Sequence, residues 1–468
     1  FLALHHLKGS RPDRGLPHVG PALDRLLAAY RNEAAFELVD LALPHADPGA
    51  RVDLLLRKSS RLGLVGRVAE ARAAAEEAHG LAKDDVQVMR SLGARAAVLI
   101  TETKLDEAEA LARRRLDLAR SAGDLREEAH ARVQLGSITG SGRRRYADAL
   151  PHFDGALELY DRLGDADGST YAENGRGICL ERSGRFEEAL ACHARVLART
   201  RETGDRNREA GTLVNTGLVH FAAGRLDAAR ECYDQARAIL GQIGNRSWEA
   251  NAIGNLADIH RDTGRLAECI ALNLRYVDLK SEIGERGGIC TGQLSLAELY
   301  AAVGRPEPAR EVAERARALA AELGDPWERR CLFVRGVLHE DESLLRAAVA
   351  RSGDDAALYV APALLELARR GDDAALERAA AVDTPLTRVM VPALKGRAGD
   401  TRAAIEAHGV SAGVLACMEA RYRIGDIEEA HGILLHLQAH APEDCRASIL
   451  ENVPLHLRIR EAHVRGAP

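Results

Sequence analysis

The chain repeats itself at a step of 40 residues, and no other property of it narrows the fold as far. A turn glycine recurs as Gly184, Gly224, Gly264 and Gly304, each followed by an arginine at Arg185, Arg225, Arg265 and Arg305. A second marker runs in the same phase, as Gly164-Asp165, Gly204-Asp205, Gly244-Asn245, Gly284-Glu285 and Gly324-Asp325. Two turns per unit mean two helices per unit. Between the turns lie runs of about 17 residues with small and apolar side chains at helical spacing, and none of the alternation that marks strands. Self-similarity at such a period is the signature of a helical solenoid, in which each hairpin buries its apolar face only against its neighbours. The predicted fold is therefore all-α: an α-α superhelix of antiparallel helix hairpins.

The residue types inside the unit say which solenoid it resembles. Thr216-Gly217, Gly224, Ala229, Tyr233 and Ala236 fall at the offsets of the tetratricopeptide pattern. The following units supply Ala257, Gly264 and Cys269, then Ala297, Tyr300, Gly304, Ala309 and Ala316. Small residues belong there because the two helices of a hairpin cross tightly and a larger side chain would hold the backbones apart. The step is longer than the usual tetratricopeptide length and is similar to the longer-helix variety found in cargo and signalling adaptors. Three spans are expected: degenerate hairpins over 1–82, the regular array over 83–325, and shorter degenerate hairpins with a C-terminal cap over 326–468.

Composition fits a core of stacked small residues, with 46% hydrophobic but only 4% aromatic side chains. A net charge of -6 offers no basic face of the kind a nucleic acid requires. The arginine runs 113–115 and 143–145 read as solvated helix ends or loops. Eight cysteines form no CxxC pair and several replace the alanine of sister units, so they read as buried small hydrophobes. Neither a membrane-spanning stretch nor a signal peptide is evident, which makes a reducing cytoplasm the expectation, with no membrane partner.

Both ends carry a further likeness. Leu4-His5-His6, Ala34-Ala35-Phe36-Glu37-Leu38 and Gly66-Arg67-Val68-Ala69-Glu70-Ala71 resemble the region just after the ATPase module in bacterial multidomain regulators of the signal-transduction NTPase type. Arg446-Ala447-Ser448-Ile449-Leu450-Glu451-Asn452-Val453-Pro454-Leu455-His456 resembles the closing segment of the same proteins. With Phe1 as first residue and Met89 as first methionine, the chain is expected to be a fragment whose native C-terminus is present. The resemblance implies an ATPase or serine/threonine kinase domain upstream.

In such arrays the first helix of each hairpin lines a concave groove. The in-phase positions hold Tyr171, Asn174, Asn215, Asn251, Asn255, Asp258, Arg261, Asp262 and Glu298. Asparagine suits a groove because its amide both donates and accepts, and so can hold a peptide backbone without reading side chains. Asn215 and Asn255 lie one period apart and resemble the asparagines that long-repeat adaptors use in this way. No HExxH, GxSxG, GxxxxGK[ST] or kinase HRD and DFG set occurs, so no catalytic residue, metal or cofactor is predicted. The loop Thr139–Arg145 lacks the Lys-Ser/Thr of a phosphate-binding loop and replaces an ordinary turn. His339-Glu340-Asp341-Glu342 reads as a solvated acidic turn, and His193 and His220 as packed structural histidines.

The expected function is a protein-, peptide- or effector-binding arm of a bacterial signalling regulator. Two alternatives stand beside it: a piece of a catalytic parent whose enzyme domain lies upstream, and a free-standing scaffold.

Overall fold

Glycine sets the hairpin geometry. In a computed structural model, which describes residues 2–9, 11–28, 31–351 and 357–466, helices account for nearly all regular structure and no strand occurs among the described residues. The outer limits of the predicted spans, Phe1 and Pro468, lie outside those residues. Eight of the marker glycines, from Gly164 to Gly304, have φ between 63° and 76°, in the left-handed region where a Cβ is strained. The residue after each glycine closes the helix end it follows. Arg185 N–H donates to Leu180 O at 2.9 Å, Arg225 N–H to His220 O at 2.8 Å and Asp205 N–H to Thr200 O at 3.0 Å, the Schellman closure. The acidic marker then starts the next helix: Asp165 accepts from Gly168 N–H at 3.0 Å and Asp205 from Arg208 N–H at 2.9 Å. A Gly-Asp pair is thus one helix's stop and the next one's start.

The chain divides into two units, Phe1–Val219 and His220–Pro468. The first opens with short helices at Leu2–Lys8, Pro12–Gly15, Val19–Ala28 and Asn32–Ala42. Hairpins follow from Pro48–Leu64 and Val68–Leu81, Asp85–Thr101 and Leu105–Ala122, Leu125–Ser137 and Tyr146–Leu163, and Ala166–Arg182 and Phe186–Thr203. The early turn at Thr103-Lys104 keeps the same geometry without glycine, with Thr103 at φ 59°. The 139–145 loop, which carries one residue more than the other turns of the array, opens with a π-helical stretch, Ile138–Gly142.

Packing in this unit sets a large side chain of the second helix against a glycine of a first helix. A Cβ on Gly136 would lie 2.9 Å from the Phe153 ring, and one on Gly177 would lie 2.7 Å from that of His193. Phe153 and His193 stand one period apart, and Tyr233 and Asn273 continue the row in the second unit. Tyr233 is fully buried and His193 is 1% exposed.

The second unit continues the 40-residue step through hairpins Arg246–Asp262 with Leu266–Glu282 and Arg286–Ala302 with Pro306–Leu323. Four shorter hairpins follow, between Trp327 and Ala439. Gly399-Asp400 matches the Gly-Asp marker in sequence yet makes no turn: Gly399 lies inside helix Ala398–Ala412, and the turn glycine is Gly396, at φ 68°. Gly396-Arg397 repeats the Gly-Arg marker of the array, and Arg397 N–H closes onto Pro392 O at 2.9 Å. In the acidic turn, Asp341 caps helix Glu342–Ala350 by accepting from Ser343 N–H at 2.8 Å.

The C-terminal part of this unit then returns to the turns of the two long hairpins. Ala267 N–H donates to His440 O at 2.9 Å, and His436 Nε2 donates to Thr263 O at 2.8 Å. Ser448 Oγ donates to Val303 O at 2.7 Å, Asn452 Nδ2 to Gly304 O at 3.0 Å, and Arg305 pairs with Asp444. Met418, Leu434, Leu437 and Ile449 share one core with Leu266, Cys290, Leu294 and Leu296. Each buried side chain of this kind is worth about 1.5–3 kcal/mol, so the returning segment is held by core packing far more than by its polar contacts.

Candidate binding groove

The nine expected groove positions fall in both units and meet different fates. In the first unit, Tyr171 is 65% exposed on helix Ala166–Arg182. Asn174 and Asn215 are partly buried and hold each other: Asn215 Nδ2 donates to Asn174 Oδ1 at 2.9 Å, joining consecutive first helices. Part of the capacity expected to face a ligand is therefore spent between hairpins, although Asn215 also borders a small cavity of about 220 Å³ beside His193.

In the second unit, Asn251, Asn255, Asp258, Arg261 and Glu298 line one cavity of about 480 Å³. Four of them come from helix Arg246–Asp262 at spacings of three and four, which places them along one helical face. Glu298 enters from the next first helix, Arg286–Ala302, one period after Asp258. Asn251 is engaged, because its Oδ1 accepts from the buried Lys280 Nζ at 2.9 Å, and Lys280 also pairs with Glu285 at 2.6 Å. Asn255 differs. Its side-chain amide has no hydrogen-bond partner among the described residues, though it too borders the cavity.

The charges in the cavity are largely matched. Arg261 pairs with Asp258 at 2.8 Å and with Asp262 at 3.0 Å. Arg330 donates to Glu298 Oε2 at 2.8 Å and to Ser295 Oγ at 2.9 Å. Burial pushes the Asp262 carboxyl up to about 6 against the opposing pull of Arg261, and the neighbouring Asp258 adds to the push. Tyr276, Phe333 and Pro362 supply the apolar wall. Arg261 also borders a larger cavity, of about 1060 Å³, which Asp262 lines together with Arg369, Glu419 and His456 from the shorter hairpins and the returning segment.

Four of these wall residues were invisible to periodicity. Arg330, Phe333 and Pro362 come from helices after the 40-residue step has ended, and Tyr276 comes from a second helix. The available signal was Trp327–Leu338 itself, an amphipathic helix that follows the array directly.

Comparison with known proteins agrees with this architecture. The family model for the tetratricopeptide repeat matches residues 127–202, 169–242 and 208–282. The chain contains tetratricopeptide repeats. The repeats lie within residues 127–282, on the long hairpins of the array. No curated protein matches the sequence. Among solved structures, the apo form of RapI is similar over 80% of this chain and 98% of its own, at 11% identity and a TM-score of 0.52. That likeness concerns the fold. The Rap conjugation gene regulator of plasmid pLS20, solved with the Phr* peptide, covers 81% of this chain and 97% of its own at 14% identity and a TM-score of 0.47. A signal-transduction ATPase with numerous domains and a tetratricopeptide repeat sensor, from Pyrococcus horikoshii, covers 74% of this chain and 52% of its own, at 15% identity and a TM-score of 0.47. Among the described residues, no helix is long and apolar enough to cross a membrane.

Proposed function

We propose that this chain is a peptide- or protein-binding, effector-sensing arm of a bacterial signalling regulator, acting in the cytoplasm by recognition and not by catalysis. The observation that carries the reading is the convergence of Asn251, Asn255, Asp258, Arg261 and Glu298 on one cavity, around an asparagine, Asn255, whose amide has no hydrogen-bond partner among the described residues. Such an amide grips a peptide bond by donating to its carbonyl and accepting from its N–H. The tetratricopeptide repeats support a partner of this kind. On this reading, occupancy of the groove is reported to an ATPase or serine/threonine kinase domain, in keeping with the likeness at residues 4–6 and 446–456. Nucleic acid is not a partner, consistent with the net charge of -6.

Selection of a randomised heptapeptide library on the intact chain, with counter-selection on Asn255→Ala, tests the assignment. A consensus retained by the parent and lost by the variant is expected. Peptides recovered equally well from both would move recognition away from this cavity.

A further inference from the structure

We propose that the small cavity beside His193, of about 220 Å³, is a binding subsite for a primary carboxamide, the neutral group that ends a glutamine or asparagine side chain or a free small amide. The subsite lies wholly within the first unit and shares no residue with the cavity around Asn255, so it stands or falls independently of the reading above.

Three helices supply its walls. Glu181 and Arg182 end the first helix Ala166–Arg182, His193 belongs to the second helix Phe186–Thr203, and Asn215 and Leu218 belong to the next first helix, Arg206–Ala222. His193 is the residue that marks the cavity as a site. It is 1% exposed, and its Nδ1 has no hydrogen-bond partner among the described residues, whereas buried polar atoms are paired in the large majority of cases. Asn273, at the same position two periods later, spends its amide on Cys269 O at 3.0 Å. The His193 ring is also fixed in place, since a Cβ on Gly177 would lie 2.7 Å from it.

Hydrogen-bonding capacity of both kinds is left over around this ring. Asn215 gives its Nδ2 to Asn174, which leaves its Oδ1 as an acceptor. The Glu181 side chain, 11% exposed, meets only the Nε of Arg182, at 3.1 Å, and each of its oxygens accepts more than one bond. A neutral imidazole adds one donor and one acceptor, and Arg182 keeps further donors. A primary carboxamide matches that mixture, because its NH2 donates twice and its carbonyl oxygen accepts.

The charge balance selects a neutral group. One carboxylate and one guanidinium line the cavity, so an ion of either sign would lose its hydration there without meeting an excess of opposite charge. Burial pushes the His193 pKa down to about 4 and raises that of Glu181, in both cases toward the uncharged form. Ile178, Leu218 and Val219 complete the wall; they offer nothing to a water but suit the methylenes that carry a side-chain amide.

Nuclear magnetic resonance of the histidine rings in the intact chain tests the assignment, with the His193 signals identified by their loss in His193→Phe, which copies Phe153. Acetyl-glutamine N-methylamide carries the carboxamide on a side chain, and propionamide carries it free. Acetyl-glutamate N-methylamide is the anionic isostere, and acetyl-leucine N-methylamide an apolar control. At least one carboxamide probe is expected to shift the His193 signals and to bind about tenfold tighter than the glutamate and leucine probes; which of the two does so identifies the source of the amide. Glu181→Ala, or Glu181→Gln should the first lower the melting temperature, is expected to weaken that binding about tenfold, and Asn255→Ala to leave it unchanged. Glutamine, glutamate and leucine probes binding alike, or no probe moving the His193 signals, would overturn the proposal. Carboxamide binding that survives at Glu181→Ala and disappears at Asn255→Ala would overturn it too, while leaving the peptide reading of the other cavity in place.

Discussion

Asn215 and Asn255 occupy the same position of the repeat, yet among the described residues only Asn215 has a side-chain hydrogen-bond partner. Asn215 donates to Asn174 between hairpins, so Asn215→Ala should cost about 0.5–1.5 kcal/mol of stability. Asn255→Ala should change stability by no more than about 0.5 kcal/mol. Urea unfolding of the two variants distinguishes them, and equal losses would mean that Asn255 packs between hairpins as well. His193 makes a second prediction. It is 1% exposed, its Nδ1 has no hydrogen-bond partner among the described residues, and burial pushes its pKa down to about 4. The unfolded chain therefore binds this proton more readily than the folded one. Stability is highest above the ordinary histidine value of about 6.5 and is lost as pH falls from there through about 4, by an amount on the order of 3 kcal/mol. His193→Phe, which copies Phe153 one period earlier, should flatten that part of the melting-temperature profile; an unaltered acid slope would assign it to other groups, such as the buried His456. At this scale the sequence was readable where a residue type answers to the repeat, as with Asp258 and Glu298. Arg330 and Pro362 answer to nothing periodic, and only the folded chain brings them to the cavity.

Turns that look identical in sequence carry different loads. At Gly184, with φ 73°, an added Cβ would meet nothing within 4 Å. At Gly304, with φ 76°, it would overlap the Ser448 carbonyl oxygen of the returning segment. Gly184→Ala should cost the left-handed strain alone, about 1–2 kcal/mol. Gly304→Ala should add the cost of overpacking against backbone, about 1–3 kcal/mol more. Equal losses in denaturant titrations of the two variants would show that residues 448–452 do not press on this turn in solution. The hairpins themselves could be read from the Gly-Arg and Gly-Asp markers, because those markers are the C-caps and N-caps. Gly399 shows the limit of that rule: past the array, an acidic residue after glycine does not by itself make a turn, whereas Gly396-Arg397 does.

For the whole molecule, the 40-residue step made the all-α hairpin fold readable without any knowledge of its contacts, because nearest-neighbour packing leaves its trace in nearby sequence. The return of residues 436–452 onto turns 263–267 and 303–305 left no such trace, since it joins positions up to 173 residues apart that share no motif. Hydrogen exchange should report the difference. Within the first unit, protection should fall off gradually toward Leu2, as in an array of neighbour-only contacts. In the second, helices Arg246–Asp262 and Arg286–Ala302 should exchange together with Ile427–Ala439. Independent exchange of that last helix would show that the return is loosely attached. The same feature bears on how such a chain can grow. An open stack tolerates gaining or losing a hairpin, because each module needs only the one beside it. Once Ser448 and Asn452 must reach Val303 and Gly304, a 40-residue duplication inserted between them would misplace the closing contact. The module count after Gly304 is therefore locked, while the open stretch before Val219 remains free to lengthen or shorten by descent or by design.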